Sequence, residues 1–152
     1  MAFKPKAIVI HNTQTPSSFT FEQIASILRS RKLKGYHRLW RKGMTHDLNP
    51  LDAPAEHVKK HNHEYAGFAL VGDYNKNELS LEDATGAALA VALMLKELGL
   101  PADAIVAHRD VPDNDTDCPG KKFPWEMFAK MVTWAYYPQP VEGWQDAGVN
   151  RP

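Results

Sequence analysis

The sequence predicts a single α/β domain, with a central mixed β-sheet flanked by helices, on three observations. Short runs rich in β-branched residues, Ala-Ile-Val-Ile before His11 and Ala-Ile-Val-Ala before His108, read as buried strands. Between them lies a long stretch with the apolar spacing of an amphipathic helix. The 152 residues, 43% hydrophobic and 24% charged, suit one globular core.

The elements follow in order. Residues 7–11 form the first strand. Thr20 and Gln23 make a capping-box pair ahead of Ile24, Ile27 and Leu28, which predicts a helix over 21–31. Arg29, Arg31 and Lys32 suit the negative pole of its dipole. Tyr36–Arg41 alternates and contains aromatics, so it reads as a second strand closed by a Lys42-Gly43 turn. His46 to Glu64, interrupted by Pro50 and Pro54, reads as irregular, and Ala66–Val71 as a buried central strand. Ser80 and Asp83 cap the strongest helix, with Leu81, Ala84, Ala88, Val91, Leu95 and Leu98 on one face and Gly99 and Pro101 stopping it. Ile105–Ala107 is the fourth strand and delivers His108; a short fifth strand is expected but not resolved. Pro124 opens a last helix with Trp125, Phe128, Met131 and Val132 inward. Beyond Tyr137 the chain is rich in Pro and Gly and lacks periodicity, which divides it into a domain over 1–137 and a tail over 138–152.

Composition excludes several function classes. The 18 basic and 18 acidic side chains cancel, which gives a nucleic-acid or anionic-membrane partner no bulk electrostatic support. A lone cysteine makes no internal disulfide. The apolar run before His11 is too short for a signal-peptide core or a membrane span, so a cytoplasmic, monomeric protein is expected. The Asn114-Asp-Thr116 glycosylation match is then coincidental.

Imidazole and thiolate are ligand types that zinc prefers. His11, His108 and Cys118 would make a three-ligand set with one position open, the pattern of a catalytic zinc site. Zinc in such a site polarises carbonyls and makes water nucleophilic near neutral pH. The competing reading makes the histidines strand-end residues and Cys118 a small core residue. His57, His61 and His63 form a rival cluster, read as a solvated polar loop because helix signals are lacking around Pro54. Asp113, Asp115 and Asp117 alternate like calcium ligands, but Cys118 stands where a calcium loop needs glycine. His63-Glu64 lacks a metalloprotease's second histidine, and His108-Arg109-Asp110 lacks a kinase's phosphate loop.

Ile-Val-Ile-His11-Asn-Thr, Gly35-Tyr36-His37, Leu70-Val71-Gly72 and His108-Arg-Asp-Val-Pro with Thr-Asp-Cys118-Pro-Gly occur in this order over residues 8–120. Together they resemble the zinc-dependent N-acetylmuramoyl-L-alanine amidases of phage endolysins and the related peptidoglycan recognition proteins. The resemblance implies one Zn2+ on His11, His108 and Cys118, and peptidoglycan or a muropeptide as substrate. It implies catalytic roles for Tyr36 and Thr116, and a groove-lining role for His57. Tyr36 read from its strand alone is a cross-strand aromatic. Phage members often carry lysine where Thr116 stands, whereas amidase-active animal recognition proteins look like this sequence there. A hydroxyl donates a hydrogen bond but supplies no fixed positive charge. Some cytoplasmic relatives place a glutamate on the central strand, at a position matching Ala69. The absence of an export signal and of a wall-binding module resembles compact endolysins. The alternatives are a cytoplasmic muropeptide-recycling amidase and a non-catalytic peptidoglycan-binding module.

Overall fold

A computed structural model describes residues 2–138. The expected tail from residue 139 onward lies outside the described residues. The elements are β1 (Ala7–Asn12), α1 (Phe21–Ser30), β2 (Arg38–Arg41), β3 (Met44–Asp47), β4 (Tyr65–Leu70), α2 (Leu81–Glu97), β5 (Ile105–Ala107) and α3 (Trp125–Tyr136). The five strands form one sheet in the order β3-β2-β4-β1-β5, parallel throughout except for the β2–β3 pair. This is the mixed, helix-flanked sheet that the sequence predicts.

Every residue of β1 and β4 is buried, because both faces of the sheet are covered. On one face Ile8, Ile10, Phe68 and Leu70 meet Val91 and Leu95 of α2 and Phe128 and Val132 of α3. On the other face, Ile24 of α1 packs with Leu39, Ala69 and Val71. Val9 joins Val58, Tyr65 and Val111 in a smaller cluster under the loops. Burying a side chain the size of Phe128 contributes about 2–3 kcal/mol.

The capping box at Thr20 is present, with its hydroxyl accepting from Gln23 N–H and the Gln23 amide accepting from Thr20 N–H. Ser80 caps α2 by accepting from Asp83 N–H. Three local expectations need correction. The second strand begins at Arg38 rather than Tyr36, leaving Tyr36 on its approach between the Gly35–Glu56 bridge and His37. Residues 44–47, of which His46 and Asp47 are expected to be irregular, form β3: Lys42 and Gly43, the expected turn, both have positive φ, 49° and 79°, and close a tight hairpin. Leu81 is 65% exposed, since it opens α2 above the packed face. Arg38, only 9% exposed, bonds Asp47 of β3 at 2.7 Å and Glu97 of α2 at 2.9 Å, tying the hairpin to the helix.

Among the described residues, no helix is long and apolar enough to cross a membrane.

Candidate active site

Parallel pairing brings the carboxyl ends of β1, β4 and β5 to one edge, where ligands bind in open α/β sheets. Ile10 pairs with Ala107, so His11 and His108 emerge side by side, with ring centroids 4.5 Å apart. After His108 the chain turns through a short 3-10 segment and returns. Arg109 N–H donates to the Cys118 carbonyl at 2.9 Å, and its guanidinium donates to the Gly120 carbonyl at 3.1 Å. These bonds fold Cys118 back beneath the two rings, its Sγ 3.7 Å from His11 Nδ1.

Among the described residues, His11, His108 and Cys118 form the group suited to a metal ion, with ligand atoms all within 4.8 Å of one another. The chemistry of the three side chains bears on how they would hold a metal ion. His108 Nδ1 is buried without a hydrogen-bond partner, a cost that a cation would remove. Burial pushes the Cys118 thiol up to about 12, partly offset by Asn12 N–H donating to Sγ at 3.3 Å, so ionisation there requires a strong positive charge nearby. His11 is held well below its ordinary value, by burial first and then by His57 and His108, which keeps the imidazole neutral as ligation requires.

Tyr36 lies with its ring centroid 4.9 Å from that of His11. Burial, reinforced by Cys118, raises its pKa well above the ordinary tyrosine value, so it remains an O–H donor. The Thr116 hydroxyl accepts from Cys118 N–H at 3.1 Å. Ala69 is the in-register neighbour of His11 on β4, so this position brings no carboxylate to the ligands.

The rival histidine cluster does not form. His61 turns outward, bonding Glu64 and, at 3.0 Å, Asp113. His57, read as part of a solvated polar loop, instead packs inward, with its Nδ1 2.9 Å from His11 Nε2. The alternating aspartates collect no metal group either: Asp113 pairs with His61 and Asp117 with Lys121.

All six sequence-identified residues, His11, Tyr36, His57, His108, Thr116 and Cys118, line one open cavity of about 450 Å³. Its walls come from the 11–14, 31–36, 56–62 and 108–118 segments, with Leu28 of α1 alongside. Asn114 escaped the sequence reading apart from its glycosylation match. Its Oδ1 accepts from His108 Nε2 at 2.8 Å, and its Nδ2 donates to the Lys59 and Pro112 carbonyls.

The model of the N-acetylmuramoyl-L-alanine amidase family matches residues 2–121. The fold is similar to that of the endolysin N-acetylmuramoyl-L-alanine amidase LysCS from Clostridium intestinale URNW, at 26% identity and TM-score 0.74, covering 86% of this chain and 84% of that one. It is also similar to the Ph2119 endolysin from the Thermus scotoductus MAT2119 bacteriophage Ph2119, at 23% identity, TM-score 0.69 and 84% coverage of both chains. A third similar structure is the complex of tracheal cytotoxin with the ectodomains of the peptidoglycan recognition proteins LCa and LCx, at 16% identity, TM-score 0.68 and 84% coverage of both chains. Comparison with curated proteins returns no match. With the family model spanning most of the domain and the fold agreeing, the chain belongs to the N-acetylmuramoyl-L-alanine amidase family.

Proposed function

We propose that this family member is a zinc-dependent hydrolase of the amide between N-acetylmuramic acid and L-alanine in peptidoglycan, acting as a phage endolysin. The observation that carries the reading is the convergence of ligand atoms of His11, His108 and Cys118 within 4.8 Å in an open groove, where His108 Nδ1 is buried without a partner. Zinc held there would polarise the scissile carbonyl and lower the pKa of water to about 7.

The remaining chemistry falls to the chain itself. Tyr36, kept protonated by burial, donates a hydrogen bond to the oxyanion that develops on the carbonyl. The Thr116 oxygen is already accepting from Cys118 N–H, which leaves its own proton for the substrate. His57 borders the groove with both ring nitrogens engaged, so its contact with substrate is through ring carbons. Arg31 and Lys59 in the groove lining suit the carboxylates of a peptide stem. The catalytic unit spans residues 1–137, with 138–152 as a tail, and the enzyme reaches the wall from the host cytoplasm once the membrane is opened.

Zinc-loaded protein is expected to release free amino groups, and no reducing sugar ends, from purified cell walls. His11→Ala is expected to reduce that release to background. Walls left intact by zinc-loaded wild type, indistinguishable from His11→Ala, would overturn the proposal.

A further inference from the structure

Two separate chains of hydrogen bonds end on Nε2 of His11 and Nε2 of His108. Both chains start from the same segment, residues 57–65. We infer that His57 and Asn114 are positioning residues through which this segment commits both histidines to present Nδ1 to a metal ion. The inference rests on the zinc reading and assigns roles that the three ligands alone do not reveal.

Each proton is fixed by its partner. The Tyr65 carbonyl only accepts, so His57 Nε2, 3.0 Å away, carries the hydrogen and donates it. His57 Nδ1 is therefore a bare lone pair. It can only accept from His11 Nε2, at 2.9 Å, which leaves the His11 lone pair on Nδ1, facing Cys118 Sγ at 3.7 Å. The second chain is equally determined. Asn114 Nδ2 donates to two carbonyls, Lys59 at 3.0 Å and Pro112 at 2.8 Å, which settles the orientation of its amide. Asn114 Oδ1 accepts from Lys59 N–H at 2.9 Å and from His108 Nε2 at 2.8 Å, so the hydrogen of His108 is on Nε2 and its buried Nδ1 is bare.

Space is reserved for the first chain. A Cβ at residue 67 would lie 2.8 Å from both Cγ and Nδ1 of His57. Gly67, in the middle of β4, thus lets the His57 ring lie against the sheet and reach His11. Partners of this kind orient ligating imidazoles, and their loss typically costs about 10–100-fold in metal affinity.

The test uses the full chain and needs no wall substrate. In metal-free protein near neutral pH, long-range proton–nitrogen NMR of the imidazole rings is expected to find His11, His57 and His108 each protonated on Nε2 only. In His57→Phe, His11 is expected to become a mixture of tautomers, and zinc affinity by chelator competition is expected to fall about 10–100-fold. His57→Gln, whose carbonyl oxygen can accept from His11 Nε2, is expected to recover most of the loss. Gly67→Ala is expected to weaken zinc binding by displacing the His57 ring, and it carries the comparison should His57→Phe fail to fold. Protonation of wild-type His11 or His108 on Nδ1 overturns the inference, as does unchanged zinc affinity in a folded His57→Phe or Gly67→Ala protein. Wild type that binds zinc with this dependence yet leaves walls intact would overturn the amidase proposal alone.

Discussion

At Tyr36, a phenol held protonated by burial lies against the ring of His11, a few residues before β2 begins. Tyr36→Phe removes the donor and keeps the ring that packs there. Loss of one oxyanion donor typically lowers kcat by about 10²–10³-fold. The variant is therefore expected to lose kcat with little change in KM and with full zinc content, measured by wall-turnover kinetics beside metal analysis. A parallel fall in zinc content would reassign Tyr36 to holding the ligands in place. That His11, His108, Cys118 and Tyr36 come together was legible in the sequence, because strand ends and ordered motifs mark them. His57 was only half legible, since its partner is set by how a proline-interrupted loop lies across Gly67 of β4, which no local spacing encodes. Asn114 was hidden for a related reason: its bonds to Lys59 reach 55 residues back along the chain, which local spacing around His108 does not reveal.

Among the elements, helix starts were the most readable, because a cap is written in adjacent residues. Ser80 at the start of α2 accepts from Asp83 N–H at 3.1 Å. Ser80→Ala is expected to cost about 1 kcal/mol, seen as a lower urea midpoint with an unchanged slope. An unaltered midpoint would mean that packing of α2 against α3 supplies the helix's stability without the cap. β3 was the least readable element. Its residues, Met-Thr-His-Asp, are all exposed, so no alternation of apolar and polar residues marks it. What specifies it is the hairpin turn at Lys42-Gly43 and the bond from Arg38 to Asp47.

For the whole molecule, acid is the expected weakness. Burial lowers the pKa of His11, His37, His57 and His108, bringing His57 to about 3. Between the ordinary histidine value of about 6.5 and these lowered values, the unfolded chain binds protons that the folded chain refuses. Their contribution to stability is therefore present above pH ~6.5 and lost as pH falls. His61 works in the opposite sense: Glu64 and Asp113 raise its pKa, so its contribution is present below the ordinary value and lost as pH rises through the raised one. His61 is a single group against four, so the four lowered groups dominate. The Tm of metal-free protein is expected to drop steadily from pH 7.5 to pH 5, by differential scanning calorimetry, and His61→Gln is expected to steepen that drop slightly. A flat profile over this range would contradict the burial of these rings in solution.

The loop over 57–65 also bears on protein engineering. Grafting two imidazoles and a thiol onto the rim of some other parallel sheet would copy the visible triad while omitting what aims it. Either nitrogen of each transplanted ring would then be free to seize the ion, and the graft would populate several coordination isomers. A faithful transplant has to carry the loop, the asparagine that clasps it and the side-chain-free notch in the neighbouring strand.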